Sequence, residues 1–364
     1  MARQYKNQKN AEIEQKISDM LNYMPDFCHG YIVSISGYNK PLTQLAYLQR
    51  IQFFLNWLLD YNSYFAKKYS SISNFTIEDI NLLKKADFEE FLHHIDVFGA
   101  LSKSEIIERK KIGKVTISSK TSTRNNYLSA LRSLYSYLID NEYIESSAVL
   151  KIRQRKPDKT IPIALDDYQV DKVMNVICGG SEFLTKQQEK SRLKTTTRDT
   201  AIYILALHTG IRVSELVSLD IDDIDFRQHC FKVIRKRGKE DTVYFDDTTE
   251  NALQEWLIDR KNMLLSDDER ALFVSTSGSK IGSRLSVRSV ERMVKKYTQI
   301  GAPEVTGFHA HSLRSSCGTK IIEKTGGDIN YTKNVLGHES IMTTTRYIKD
   351  NEQQKIDRRT LLDE

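Results

Sequence analysis

The segment Thr209-Gly210-Ile211-Arg212-Val213-Ser214-Glu215-Leu216 decides how the rest of the chain is read. It closes a helical pattern, Thr197 to Leu207, at a glycine and opens another directly after it. Arg212 therefore stands near a helix N-terminus, where unpaired backbone N–H groups already favour an anion. Its planar fork of donors suits the same anion. Taken alone, the segment reads equally as an ion pair between Arg212 and an acid such as Glu215.

Downstream, a strand pattern at His229 to Arg235 and another at Thr242 to Phe245 flank the turn Lys236-Arg237-Gly238-Lys239, a hairpin with a basic tip. Helical spacing resumes at Thr249 to Leu264, Val287 to Ile300, Ser312 to Glu323 and Ile329 to Leu336. In His311-Ser312-Leu313-Arg314 the step of three puts His311 and Arg314 on one helix face and turns Leu313 toward the core. His309 and His311 have no third ligand at suitable spacing, which argues against a metal. Leu336-Gly337-His338 ends a helix at a glycine and exposes His338 just beyond it. Tyr347 follows in Thr343-Thr344-Thr345-Arg346-Tyr347-Ile348, but with 18 tyrosines in the chain packing is the ordinary role of any one.

Upstream, the first 150 positions read as all-helical. The clearest pattern is Leu42 to Leu59, with Leu45, Leu48, Ile51, Leu55, Leu58 and Leu59 on one face. A second, Ser122 to Ile139, carries Leu128, Leu131, Leu134, Tyr135 and Leu138 as its stripe. Arg124 and Arg132 project elsewhere, and Asn125, Asn126, Ser133 and Ser136 make the outer face polar. Ile77 to Leu83 and Asp87 to Ile95 read as shorter helices. Arg109, Lys110, Lys111 and Lys114 stand in the connection before the second long helix, with Lys120 at its start. Lys151, Arg153, Arg155, Lys156 and Lys159 follow it and run into Pro157 and Pro162, so Lys151 to Ile163 is the predicted interdomain linker. A charge run is ordinarily a solvated face, yet two around a polar-faced helix fit a surface that tracks phosphates.

The expected organisation is an N-terminal extension over 1–40, a helical domain over 41–156, and a mostly α domain with a small antiparallel sheet over 157–364. A length of 364 residues supports two cores. The composition, 40% hydrophobic and 28% charged with net charge +6, is that of a soluble globular protein able to meet nucleic acid. No run approaches a membrane span and no secretory signal is visible, so the expected compartment is cytoplasmic. Cys28, Cys178, Cys230 and Cys317 lie far apart with no C-x-x-C pair, which argues against a disulfide framework or zinc ribbon.

The order Arg, Lys, His-x-x-Arg, Gly-His, Tyr supplies what metal-free phosphoryl transfer needs. Two arginines clamp the nonbridging oxygens, a phenol forms the covalent bond, and a lysine or histidine protonates the leaving oxygen. On T-G-I-R-V-S-E-L at 209–216, V-I-R-K-R-G-K-E at 233–240, H-S-L-R at 311–314, L-G-H at 336–338 and Tyr347, residues 160–350 resemble the tyrosine recombinases, also called the phage integrase or Xer-like family. More weakly, T-x-x-R-N-N-Y-L-S-A-L-R at 121–132 and I-P-I-A-L at 161–165 resemble the last helix of the family's core-binding domain and the entry to its catalytic domain.

The resemblance implies a mainly α fold: a helical SAM-like core-binding domain and an α+β catalytic domain, closing as a C-shaped clamp on double-stranded DNA. It implies that Arg212 and Arg314 hold the scissile phosphate and that Tyr347 attacks it to leave a 3′-phosphotyrosine and a 5′ hydroxyl. Lys236 would be the general acid, with Lys239 as runner-up; His311 would be its acid/base partner, and His338 a further phosphate-stabilising residue. Arg109, Lys110, Lys111, Lys114, Lys120, Arg124, Arg132, Arg153, Arg155 and Lys239 are the expected DNA contacts. A homotetramer would exchange strands between paired sites through a Holliday junction, with no cofactor and no metal, and the tail after Tyr347 would dock into a neighbouring protomer. Ser315 departs from the family, which often has histidine there. A non-cleaving DNA-binding protein of the same fold and a type IB topoisomerase are the alternatives.

Overall fold

The computed structural model describes residues 2–111, 119–156, 162–179, 185–235, 238–263, 269–276, 278 and 281–347. Lys114, Pro157, Lys159, Lys236 and the tail after Tyr347 lie outside the described residues. The chain divides into two compact units, residues 7–159 and residues 160–364 together with the first six.

The first unit is helical: α1 (Ala2–Leu21), α2 (Phe27–Ser36), α3 (Pro41–Tyr61), α4 (Ser63–Lys68), α5 (Ile77–Asn81), α6 (Lys85–Phe98), α7 (Lys103–Lys111) and α8 (Thr121–Asp140). Its core gathers the predicted stripes of α3 and α8 around Phe54, Phe88 and Phe91. The predicted extension over 1–40 is not peripheral to this core. Phe27, Cys28, Tyr31, Ile32 and Ile35 of α2 are buried in it. Helix α2 crosses α8 so closely at Gly30 that a Cβ there would stand 2.3 Å from the Tyr137 hydroxyl. Ser133, expected on an open polar face, accepts a 2.9 Å hydrogen bond from the buried Tyr31 hydroxyl.

Arg109, Lys110 and Lys111 also sit differently from expectation. They form the last turn of α7 rather than a connection. Ser102 and Glu105 cap that helix reciprocally, Glu105 accepting from the Ser102 N–H at 2.8 Å, and the terminal cations face the negative end of its dipole. After α8, a short 3-10 turn (Ala148–Lys151) ends on Lys151, the first residue of the predicted linker.

The second unit contains α9 (Asp167–Cys178), α10 (Lys186–Leu193), α11 (Thr196–Thr209), α12 (Val213–Leu216), β1 (Ile224–Asp225), β2 (Cys230–Ile234), β3 (Glu240–Tyr244), α13 (Asp247–Lys261), α14 (Val287–Gly301), α15 (Ala310–Lys324), α16 (Ile329–Leu336) and α17 (Ile341–Thr344). The strands form one antiparallel sheet in the order β1-β2-β3. Helix α11 is the axis of the core, buried from Arg198 to Tyr203 and packed by α9, α13 and α15. The Arg198–Asp199 pair inside it is satisfied: Asp199 accepts from Tyr297 Oη at 2.9 Å, and Arg198 donates to the Val274 carbonyl at 3.2 Å. No described helix is long and apolar enough to cross a membrane.

Candidate functional site

Helix α11 stops at Gly210, whose left-handed backbone (φ +60°) turns the chain. Arg212 then becomes the N-cap of α12. Its N–H donates to Glu215 Oε2 at 3.1 Å and its Nη1 to Glu215 Oε1 at 2.8 Å. The ion pair with Glu215 is thus formed, and Arg212 also stands at the helix N-terminus as expected. The acid holds one edge of the guanidinium, while the side chain keeps 33% exposure on a cleft.

Arg314, on α15, is 1% exposed. Nη1 donates to the Gly210 carbonyl at 2.6 Å and Nη2 to the Leu336 carbonyl, so one guanidinium ties together the ends of α11 and α16. Burial, reinforced by the nearby Arg212 charge, lowers its pKa to about 10, which leaves it cationic at neutral pH. One turn earlier, His311 is held below its ordinary pKa by desolvation and then by Arg314 and His309. Its neighbour His309 is the N-cap of α15, with Nδ1 3.0 Å from Ser312 Oγ.

Gly337 ends α16 in the left-handed region (φ +61°) and delivers His338 into the interior. His338 Nδ1 lies 2.8 Å from Thr344 Oγ1 on α17, and its ring stacks on Tyr347 with centroids 6.0 Å apart at 19°. Desolvation, then the charges of Arg314 and Arg212, push the His338 pKa down to about 4. Tyr347 ends a 3-10 turn after α17 and is 6% exposed. Burial raises its phenol pKa, against the opposing pull of the Arg314 charge and a hydrogen bond from Ser315. The phenol is accordingly protonated at neutral pH.

Arg212, Arg235, Lys239, Lys333 and His338 line a cleft of about 590 Å³, with Asp241 and Glu339 among its acids. Lys236, the expected general acid, lies outside the described residues; Lys239 is exposed at the cleft. A second cleft of about 480 Å³ brings His311 beside Arg288, Arg292 and Lys295, cations of α14 that the sequence reading passed over. Their signal was present, since they recur at steps of three and four along one helix. Glu215 and Arg235 were also missed as site residues. Only the Arg-x-x-Glu step was visible beforehand.

The expected DNA contacts divide. Arg109, Lys110, Lys111, Lys120, Arg153 and Arg155 are exposed. Arg124 is not on an open face: it is 6% exposed, with Nε 3.5 Å from Asp96 Oδ2. Arg132 donates to the Leu150 carbonyl at 3.1 Å and to the Ile152 carbonyl, bracing the segment that leaves α8. Both arginines lie where a neighbouring acid or carbonyl covers the helix, a circumstance that the stripe of α8 does not reveal.

Residues 165–354 match the model of the phage integrase family. Over nearly the whole chain the sequence is similar to tyrosine recombinase XerS of Streptococcus uberis, 27% identical over 94% of this chain and 98% of the relative. It is likewise 28% identical to tyrosine recombinase XerS of Lactococcus lactis subsp. cremoris, over 95% and 98%. Among solved structures, the XerH site-specific recombinase bound to palindromic difH substrate shares the fold with a TM-score of 0.58 at 20% identity, over 89% of this chain and 79% of that one. The Tn1549 transposon integrase in complex with circular intermediate DNA gives 0.57 at 19%, over 90% and 96%.

Proposed function

The chain belongs to the phage integrase family, and from that premise we propose that it is a site-specific DNA recombinase acting through a 3′-phosphotyrosine. The observation that carries the proposal is that Arg212 and His338 line one cleft, with Arg314 buried close enough for its charge to depress the His338 pKa and Tyr347 stacked on His338. Arg212 and Arg314 place positive charge where a pentacoordinate phosphate would develop negative charge, in surroundings poor in water. Tyr347 Oη forms the new P–O bond as the bond to the 5′ oxygen breaks. The phenolic proton passes to the neutral imidazole of His311 as base, and a proton from Lys236 reaches the departing 5′ oxygen. Because a phosphodiester replaces a phosphodiester, the step reverses on a second strand without an external energy source. His338 enters with its ring neutral, and its Nδ1 is engaged by Thr344, so Nε2 is the atom left to meet a phosphate oxygen.

In this reading the unit of residues 7–159 holds DNA through the exposed cations of α7 and of the segment after α8. Four protomers exchange strands between paired sites through a Holliday junction.

The test is covalent capture. The native chain is mixed with nicked genomic DNA from its source, denatured in SDS, and the protein-linked fragments are sequenced at their ends. Adducts at one recurrent site that vanish in Tyr347→Phe, with DNA binding retained, are the expected result. An adduct of normal yield in Tyr347→Phe refutes the nucleophile, and intact binding without any adduct points to a non-cleaving protein of the same fold.

A further inference from the structure

Arg235 immediately precedes the basic hairpin tip, yet its side chain is buried in the floor of the cleft, 8% exposed. Nη1 donates to Glu215 Oε2 at 2.8 Å and Nε to Asp241 Oδ2 at 2.9 Å. The other oxygen of Glu215 receives Arg212 Nη1 at 2.8 Å. One carboxylate thus ties Arg212 to Arg235, and Arg235 in turn ties that pair to β3. The guanidinium also passes beneath the turn that delivers His338: a Cβ at Gly337 would stand 3.0 Å from Arg235 Nε and 3.1 Å from Cζ. Its backbone closes the hairpin, the Arg235 N–H donating to the Lys239 carbonyl at 2.7 Å and the Gly238 N–H to the Arg235 carbonyl at 3.2 Å.

Three parts of the cleft therefore meet on one side chain: Arg212, the Gly337–His338 turn and the base of the hairpin. Two carboxylates absorb its charge from different directions, which only a planar fork of donors can satisfy at once.

We propose that Arg235 is a positioning residue of this cleft, a strut that fixes Arg212, His338 and the basic hairpin relative to one another without itself taking up the phosphate. For its catalytic consequence the proposal rests on the recombinase reading.

The experiment uses the full chain with Arg235→Met, Arg235→Lys, Glu215→Gln and the Arg235→Met/Glu215→Gln double variant. Amide hydrogen exchange is followed without DNA, and single-turnover cleavage and affinity are measured on the captured site. Arg235→Met is expected to speed exchange about tenfold or more at 238–240 and 337–339. It should slow cleavage about 30-fold or more while DNA affinity stays within about threefold. Arg235→Lys should recover part of the rate and, should the methionine variant not fold, carries the same comparison. The double variant should be no slower than the worse single, because both break one bridge.

Native cleavage by Arg235→Met overturns the proposal. Slowed cleavage with unchanged exchange overturns it as well, since Arg235 would then act on the phosphate directly. Quickened exchange in Arg235→Met, with no cleavage by any form including the native chain, leaves the strut standing and removes the recombinase reading instead.

Discussion

The ring of Tyr347 packs against α15 at Gly318, where a Cβ would come within 2.9 Å of Cε2 and 3.0 Å of Cδ2. A glycine inside a helix ordinarily costs about 1 kcal/mol relative to alanine, so its presence here marks the seat of the phenol rather than a weak point of the helix. Gly318→Ala is expected to displace the ring from Ser315 and His338. Single-turnover cleavage of a suicide duplex should fall about tenfold or more with DNA affinity preserved. A native rate would show that the seat does not matter to attack.

Much of this arrangement was legible beforehand, and the reasons for the rest are local. The stripes of α3, α8, α14 and α16 repeat at helical spacing, and the structure bounds each within a residue or two of expectation. Helix α2, Phe-Cys-His-Gly-Tyr-Ile-Val-Ser-Ile-Ser, is only ten residues long and carries the apolar Val33 on its exposed side, so periodicity has little to act on. Arg212, His311, Arg314, His338 and Tyr347 are readable because each sits at a helix boundary or at a fixed step within a motif. The Glu215–Arg235 bridge is not, because it depends on the hairpin folding back across α12, a contact between residues 20 apart in sequence. Arg124 misled for a related reason: a charged position off the hydrophobic stripe gives no sign that Asp96 covers it.

His338 makes stability depend on pH in a stated direction. Its folded pKa of about 4 lies below the unfolded value of about 6.5, so the native state favours the neutral ring. The contribution is therefore complete above about pH 6.5 and is lost as pH falls toward about 4, because the unfolded chain takes up the proton first. The slope is about 1.4 kcal/mol per pH unit for one such group. His311 shifts in the same direction. Urea unfolding at pH 7 and pH 5 should show the native chain losing about 1–2 kcal/mol more than His338→Asn. Equal losses would place His338 in contact with solvent.

The basic residues of the first unit should separate into two classes by salt dependence. Arg109 and Lys110 are exposed on the last turn of α7, whereas Arg132 is engaged with two carbonyls. Alanine at Arg109 or Lys110 is expected to lower the slope of log affinity against log salt by about 0.9 each, leaving stability unchanged. Arg132→Ala should leave the slope unchanged and destabilise the unit by about 1–2 kcal/mol through unpaired carbonyls. A lowered slope in Arg132→Ala would restore it to the DNA-facing set.

Arg314→Lys tests whether geometry or charge governs the clamp. Lysine keeps the cation, but its single ammonium cannot donate to the carbonyls of Gly210 and Leu336 and still present a flat edge to a phosphate. The two carbonyls belong to the helix ends that position Arg212 and His338, so the substitution also loosens both neighbours of the phosphate. The cleavage barrier is expected to rise by about 3 kcal/mol, roughly a hundredfold or more in rate, with DNA binding close to native. Single-turnover rates of Arg314→Lys and Arg314→Ala on the same duplex make the comparison. A lysine variant near the native rate would mean that charge alone is what the phosphate requires at this position.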